Sequence, residues 1–301
     1  MEQNIDQSFQ VSCDICGVDD PEEIPCTRKY TEGQPLHVCR NCGFVYVTNR
    51  RSSERIAEAW STEIYKETQA DSKLAVTYTA RSPAVMSRLT FVAETVSTVL
   101  KFNSGRLCDI GAGEGVFLEL MRNREPDVEL FGVEPSLENC KAMQQMGIAC
   151  EAGTIEDFLV SSVGENFEDR FDLITILWTL ENCFSCRDMI EAASRLLKPD
   201  GTILIATGSR LLVPFKKPLQ YYLGKNPMDT HSFRFSSKSL SRLMAQYGFF
   251  VTHENRYIDN DVLLKCFSRN GHITRDEEIP SDNYLDVLDF FHRWDAESQF
   301  Y

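Results

Sequence analysis

Residues 107–118 read Leu-Cys-Asp-Ile-Gly-Ala-Gly-Glu-Gly-Val-Phe-Leu, and this stretch decides the fold. An apolar run ends at Asp109, and a helical apolar pattern begins at Val116. Between them, glycines occupy alternate positions: Gly111, Gly113 and Gly115. This pattern predicts a buried strand that enters a tight turn, where the missing Cβ atoms let a ligand lie against the backbone. A dinucleotide-binding fingerprint places its third glycine where Val116 stands, so the spacing speaks against NAD.

A second acidic residue closes the next predicted strand. Residues 128–134 end at Glu134, 23 positions after Gly111, and Pro135 stops the strand. A carboxylate there can accept both ribose hydroxyls of an adenosine. An NAD enzyme also carries an acid about 20 residues after its glycines, so Glu134 alone does not separate the two cofactors.

Three further sequence segments follow Glu134 along the chain. They are residues 153–158 (Gly-Thr-Ile-Glu-Asp-Phe), the apolar run 171–178 and the helix–turn–strand pattern at 196–205. Together with the glycine turn and Glu134, they resemble the class I S-adenosylmethionine-dependent methyltransferases over residues 84–268. The resemblance implies a doubly wound, Rossmann-like α/β fold with a seven-stranded, mostly parallel sheet.

The same resemblance implies a set of contacts with S-adenosylmethionine. The glycine turn corresponds to motif I of this family, and residues 153–158 correspond to the loop that covers adenine. We expect Asp109 near the methionine end and Glu134 on the ribose. The expected cofactor-binding residues are Asp109, Gly111, Gly113, Gly115, Glu134, Thr154, Ile155 and Trp178.

Two cysteine pairs precede this region. Each is a C-x2-C followed by glycine, and 22 residues separate the pairs Cys13–Cys16 and Cys39–Cys42. Such knuckles are typical of a closed, structural Zn²⁺ site with four thiolate ligands, rather than of four unrelated buried cysteines or a thioredoxin-like redox centre. Cys26 and His37 lie between the pairs and are expected to be bystanders. A third C-x2-C, Cys183–Cys186, has no second pair nearby and is interpreted as two ordinary thiols beside the substrate crevice.

Composition narrows the classes of function. The 301-residue chain has 31 basic and 45 acidic residues and a net charge of −14, so a polyphosphate backbone is an unlikely partner. Eleven cysteines, with neither a signal peptide nor a long apolar run, indicate a cytoplasmic protein without a membrane span. Two basic pairs stand out: residues 50–51 are read as a solvated ribbon edge, and residues 216–217 as a site that could hold a diphosphate.

The chain is expected to divide into four parts. These are a zinc ribbon (1–50), a helical linker or lid broken around Pro83 (51–103), the methyltransferase core (104–268) and a C-terminal linker and helix (269–301). The core strands are predicted near 106–110, 128–134, 148–152, 171–178, 202–207, 249–257 and 261–267. The last helix carries an apolar stripe that either packs onto the core or forms a homodimer seam: Leu285, Leu288, Phe291 and Trp294.

Two residues are candidates for catalysis. After the fourth core strand this family often shows Leu-Glu-His, and here Asn182 replaces the histidine. Glu181 is then a candidate base or a group that orients substrate hydroxyls. His231 is the preferred base because only histidine has an ordinary pKa near the operating pH, and its segment resembles the family's His-x-x-x-Phe-Ser. A purely structural histidine is an equal alternative. Tyr65, Tyr221 and Tyr222 fall where the family places lid and acceptor-site aromatics, although packing is their default role.

The ribbon, the linker helices, the core and the His231 segment together resemble bacterial sugar methyltransferases. The resemblance implies a small-molecule acceptor, either a nucleotide-linked sugar or a surface-polysaccharide precursor. Larger C-methylating members carry a further C-terminal domain that is expected to be lacking here. The expected acceptor atom is a hydroxyl oxygen, a carbon or an amine nitrogen, with C-methylation weakened and O- or N-methylation of a sugar, or of another small metabolite, left open. Two other classes stay open: an RNA base methyltransferase with a zinc module, and a catalytically silent cofactor-binding scaffold.

Overall fold

The structure is a computed structural model that describes residues 8–31, 34–61, 83–160, 167–208, 211–212, 218–223, 231–255, 262–270 and 280–300, without the side chains of 59–61. Contacts divide the chain into two compact units. One comprises Met1–Ile56, Leu180–Ile190 and Thr207–Tyr301, and the other comprises Ala57–Thr179 and Glu191–Ala206. Tyr65 and residues 216–217 lie outside the described residues.

Seven strands form one mostly parallel sheet, which confirms the predicted fold class. In chain order they are β6 (Gly105–Ile110), β7 (Val128–Glu134), β8 (Ala149–Ala152), β9 (Phe171–Leu177), β10 (Leu197–Thr207), β12 (Phe250–Glu254) and β13 (Leu263–Ser268). Their order across the sheet is β12-β13-β10-β9-β6-β7-β8, and β12 runs antiparallel to β13. From β6 the chain continues outward through β7 and β8 and then returns to β9 on the other side of β6. Open α/β sheets bind ligands at such a switch point.

The central strands are apolar on both faces. Leu107 and Cys108 of β6 and Ile174 and Ile176 of β9 are fully buried, as expected for parallel strands covered on both sides. Strand β10 begins five residues earlier than predicted. The residues that the sequence pattern assigned to a turn before the strand lie within β10 instead, at a register irregularity between Leu197 and Thr202.

Helices alternate with these strands. They are α1 (Ser53–Ser61), α2 (Pro83–Glu94, continued by a π-helical turn at Thr95–Val99), α3 (Val116–Arg124), α4 (Leu137–Gln145), α5 (Ile155–Val160), α6 (Cys186–Leu196), α7 (Leu219–Leu223), α8 (Ser237–Ala245) and α9 (Tyr284–Ser298). Pro83 opens α2, where a proline's missing N–H is not needed. Within the described segments, no helix has both the length and the apolar character that a bilayer span requires.

The N-terminal cysteine segment forms its own sheet. Its strands are β2 (Pro21–Glu23), β3 (His37–Cys39) and β4 (Val45–Tyr46), and β11 (Phe233–Arg234) completes it in the order β11-β4-β3-β2. A short ladder pairs β1 (Ser8–Gln10) with β5 (Asn49–Arg51). The phenyl rings of Phe233 and Phe235 lie 5.8 and 5.4 Å from that of Phe44, which explains why a late segment joins an early sheet. We call β2, β3, β4 and the two knuckles the cysteine ribbon.

The C-terminal helix α9 corrects two expectations. Leu285, assigned to the apolar stripe, is 57% exposed, whereas Val287 is buried with Phe291 and Trp294. The buried face packs against the cysteine ribbon and α7, not against the parallel sheet: Val38 and Val45 belong to the same apolar cluster, and the ring of Tyr222 lies 4.6 Å from that of Trp294. Phe291 and Trp294 of the stripe are therefore already covered within this chain, whereas Leu285 is not.

A third correction concerns the basic pair at 50–51. Arg50, expected at a solvated edge, is only 1% exposed. Its guanidinium lies 4.4 Å from the centre of the Phe233 ring and pairs with Asp14. A charged partner and an aromatic face make burial of an arginine tolerable.

Candidate active site and cysteine cluster

The glycine turn after β6 has room for a ligand at one position. Gly111, Gly113 and Gly115 all adopt left-handed conformations, with φ of 75°, 55° and 75°. A Cβ at Gly111 would collide with Thr179, and one at Gly115 would collide with Met143, so both glycines are required by packing. At Gly113 no atom of the described residues lies within 4 Å of that position. The backbone of Gly113 therefore faces open space, and this cradle fits a cofactor lying against the turn.

Glu134 ties the end of β7 to this turn. Its carboxylate accepts the Gly113 N–H at 2.9 Å through Oε2 and the Ser136 N–H at 3.0 Å through Oε1. Burial raises the pKa of Glu134, while the two backbone donors act in the opposite direction. Asn139 Nδ2 also donates to Oε1, at 3.4 Å, so both lone pairs of that oxygen are engaged. The second lone pair of Oε2 can still accept a ribose hydroxyl.

Asp109 sits at the end of β6 and is buried. The Thr175 hydroxyl donates to its Oδ1 at 2.6 Å. Burial raises the pKa of Asp109 to about 7, and the nearby charge of Glu134 acts in the same direction, against the Thr175 hydrogen bond. Two buried carboxyl groups at one switch point favour a ligand that carries positive charge.

Residues 153–158, the predicted adenine loop, begin next to Glu134 at the end of the neighbouring strand. The Gly153 N–H donates to the Glu134 backbone carbonyl at 3.0 Å. Thr154 and Asp157 exchange hydrogen bonds of 2.9 and 3.2 Å at the start of α5. Ile155 is buried. Thr154 and Ile155 thus lie at a hydrogen-bonded turn beside the predicted ribose site, and their cofactor contacts remain a prediction.

Trp178 follows β9 in a strained conformation. Its φ is 53°, a left-handed value that costs a residue with a side chain roughly 1–2 kcal/mol. The Trp178 N–H donates to the Ala206 carbonyl at 2.7 Å, and the Arg88 guanidinium lies 6.0 Å from the indole centre. Strain of this kind concentrates at functional sites, which agrees with the prediction that Trp178 lines the cofactor site.

The structure brings His231 and Asn182 together. Asn182 ends the 3₁₀ turn Leu180–Asn182, and its Oδ1 lies 2.7 Å from Nδ1 of His231. Because an amide oxygen only accepts, Nδ1 of the neutral imidazole carries the proton and the lone pair is on Nε2. Sequence reasoning treated Asn182 as a lost base and His231 as a separate candidate, and it did not foresee the pair.

Glu181 is oriented inward. Its side chain is 0% exposed, and its Oε1 accepts the Gly208 N–H at 3.0 Å. Burial raises the pKa of Glu181, against the lowering effect of the Arg234 charge. Arg234, also buried, donates to the carbonyls of His231 and Leu223. The sequence signalled this arginine only by its place between two phenylalanines.

The four knuckle cysteines converge as predicted. All four Sγ atoms lie within 4.8 Å of one another, with Cys13–Cys42 at 3.6 Å and Cys16–Cys39 at 3.5 Å. A tetrahedral Zn²⁺ with Zn–S bonds of about 2.3 Å would hold sulfurs roughly 3.8 Å apart, so the set fits this metal. Hydrogen bonds to Cys39 and Cys42, followed by burial, raise the pKa of Cys13, so four thiolates in this cluster would require a cation.

The remaining candidates have ordinary surroundings. Cys26 contacts the Phe291 carbonyl at 3.8 Å and His37 lies near Thr48, so neither belongs to the cluster. Cys183 and Cys186 are both buried. Of the two described tyrosine candidates, Tyr221 is exposed and Tyr222 packs on Trp294.

The sequence profile of a family described as "Methyltransferase domain" matches residues 81–254, more than half of the chain, and the chain belongs to this family. Together with the fold, the match defines an S-adenosylmethionine-dependent methyltransferase of class I.

The chain is also similar to named proteins. Ubiquinone biosynthesis O-methyltransferase of Actinobacillus pleuropneumoniae serotype 5b is 27% identical over 176 residues, covering 52% of this chain and 75% of the relative. The mitochondrial enzyme of the same name from Schizosaccharomyces pombe is 24% identical, covering 60% and 65%. The solved CurJ carbon methyltransferase is 13% identical, with a TM-score of 0.50 over 64% of this chain and 56% of that one. At this identity the structural likeness concerns the fold alone.

Proposed function

We propose that this methyltransferase methylates a hydroxyl group of a small-molecule acceptor and that His231 is the general base. The observation that carries the proposal is the 2.7 Å contact between His231 Nδ1 and Asn182 Oδ1. That hydrogen bond selects the tautomer whose Nε2 can accept a proton. A sugar hydroxyl is too weakly acidic to attack well while protonated, and a positioned base is worth roughly 10²–10⁴ in rate. An amine acceptor that binds in its neutral form would need no base.

The cofactor is proposed to lie on the glycine turn. Gly113 offers its open backbone, Glu134 would accept a ribose hydroxyl, and Asp109 would face the positively charged methionine end. Thr154, Ile155 and Trp178 would border the same site. When bound, S-adenosylmethionine supplies an electrophilic methyl group. The protein's own contribution is to hold both partners aligned, and alignment supplies much of the rate in such transfers.

Glu181 is proposed to position the site rather than to touch the acceptor. It is fully buried and anchors the backbone at Gly208. Since it directly precedes Asn182, holding Glu181 in place also holds the residue that fixes the imidazole of His231. A direct catalytic role would require the carboxyl group to become exposed.

The acceptor is proposed to be a sugar hydroxyl, on a nucleotide sugar or a glycan precursor. This rests on the resemblance of the ribbon and the His231 segment. The competing acceptor is one from ubiquinone biosynthesis, because the curated relatives carry that name. Both readings agree on methylation at oxygen. Screening nucleotide sugars and quinone precursors for release of S-adenosylhomocysteine would separate them.

The cysteine cluster is proposed to bind one structural Zn²⁺ through Cys13, Cys16, Cys39 and Cys42. The sulfur separations fit a tetrahedral ion, and a set of four thiolates leaves no open position for catalysis. The metal would stabilise the ribbon.

The role of His231 is tested by His231→Ala, with His292→Ala as control, since His292 is an exposed histidine on α9. We expect kcat to fall at least about tenfold in His231→Ala. The rate should also lose its dependence on pH in the range where histidines titrate, about pH 6–7. S-Adenosylmethionine affinity should stay unchanged in both variants. If His231→Ala keeps its rate and pH profile, the base assignment is wrong and N-methylation becomes the better proposal.

A further inference from the structure

The cysteine ribbon holds the strand that follows His231. Strand β11 pairs antiparallel with β4, with Phe233 opposite Tyr46 and Arg234 opposite Val45. In addition, the Val47 N–H donates to the Ser232 carbonyl at 2.9 Å. The backbone that begins one residue after His231 is therefore an edge of the ribbon sheet.

Arg50 reaches the other side of the same pair. Its Nη1 donates to the Phe184 carbonyl at 2.6 Å, two residues after Asn182. Its guanidinium also lies 4.4 Å from the centre of the Phe233 ring, two residues after His231. One buried side chain thus touches the segments that carry both Asn182 and His231.

The same arginine side chain also connects to the first cysteine knuckle. Arg50 donates to both carboxylate oxygens of Asp14, at 2.5 and 3.1 Å, and Asp14 lies directly after Cys13. The Nε of Arg50 donates to the Val47 carbonyl at 2.8 Å. Buried ion pairs of this kind often add little stability compared with apolar packing, and in some proteins they fix a geometry instead.

We propose that Arg50 is a positioning residue through which the cysteine ribbon sets the geometry of the Asn182–His231 pair. This rests on the proposed role of His231 as the base. The fork of the guanidinium is essential to the arrangement, because a lysine ammonium cannot bind Asp14 at two oxygens, Phe184 and Val47 together. The cysteine ribbon is then a part of the catalytic apparatus and not a separate appendage.

The test compares Arg50→Met and Arg50→Lys with Arg40→Met. Arg40 is a matched control because it follows Cys39 in the second knuckle and forms an exposed ion pair with Glu22. The measurements on each variant are kcat and KM, zinc content, S-adenosylmethionine affinity, and the ¹⁵N NMR signals of His231, which are assigned by their loss in His231→Gln. The NMR signals report the imidazole tautomer without reference to turnover.

For both Arg50 variants we expect kcat to fall about 10–100-fold, as for a small misplacement of a catalytic group. The His231 signals should shift toward a mixture of tautomers, while zinc content and S-adenosylmethionine affinity stay at wild-type values. Arg40→Met should match wild type throughout. If Arg50→Met does not fold, Arg50→Lys decides alone, because it retains the charge.

Unchanged His231 signals in a folded, zinc-loaded Arg50 variant would overturn the proposal, whatever the rate. The outcome can be separated from a failure of the proposed function. If His231→Ala keeps full activity, His231 is not the base, and the tautomer signals still report whether Arg50 sets its geometry.

Discussion

Replacing Gly113 by alanine should weaken cofactor binding in addition to a modest loss of stability. In the free turn, no atom in the part of the chain that the structure describes lies within 4 Å of the new Cβ, so the methyl group clashes with none of these residues. The remaining effect is the left-handed backbone, φ 55°, which costs alanine about 1–2 kcal/mol. This corresponds to a fall in Tm of about 2–8 °C for a domain of this size. If the cofactor lies on the turn, the methyl group takes up its space, and affinity should fall at least about tenfold, or about 1.4 kcal/mol.

Gly147→Ala is the matched control. Gly147 follows α4 with φ 76°, and none of the described residues comes within 4 Å of its Cβ position either. The two variants should therefore lose similar stability in thermal unfolding, and calorimetric titration with S-adenosylmethionine should separate them. Equal affinity in both variants would show that the cofactor does not lie against Gly113 and would refute this reading of the glycine turn.

Three further outcomes are expected. Because burial raises the pKa of Asp109 to about 7, the free protein holds part of this carboxyl protonated at neutral pH, and binding of a cationic cofactor should release protons. Affinity should then rise with pH through about 7, and calorimetry in buffers of different ionisation enthalpy should find no such release in Asp109→Asn. Elemental analysis should find about one zinc per chain, and Cys39→Ser should lose the metal and the ribbon's protease resistance while keeping cofactor affinity. Trp294→Ala should destabilise the unit that contains the cysteine ribbon by about 3–5 kcal/mol in denaturant unfolding, and Leu285→Ala by under about 0.5 kcal/mol.

Local patterns were enough to predict the parallel sheet and both candidate binding centres. Buried parallel strands appear in a sequence as near-continuous apolar runs. The turn after β6 requires left-handed backbone conformations, and its closely spaced glycines indicate such conformations directly. The spacing of the knuckle cysteines likewise predicts a four-thiolate metal site. Each of these signals is contained in a short stretch of chain.

Features that depend on distant parts of the chain were missed or misread. No residue near Arg50 in the sequence indicates that Asp14 and Phe184 will surround it, so the sequence alone predicts a solvated edge for this basic pair. The apolar stripe through Leu285 follows helical spacing, yet in the structure Val287 is buried and Leu285 is exposed. Which face of α9 is buried depends on the surface that it packs against. The Asn182–His231 contact joins residues 49 positions apart and follows from the arrangement of loops, not from either motif.

The central claim is that the switch point of the sheet binds S-adenosylmethionine through Glu134. Its most direct test is calorimetric titration of the wild type, Glu134→Gln and Glu129→Gln, the last being an exposed acid on the same strand. We predict one site per chain for S-adenosylmethionine and no binding of NAD. Loss of the charged ribose contact in Glu134→Gln should weaken binding tenfold or more, about 1.5–3 kcal/mol, and Glu129→Gln should match wild type. Unchanged affinity in Glu134→Gln, or binding of NAD in place of S-adenosylmethionine, would contradict the account.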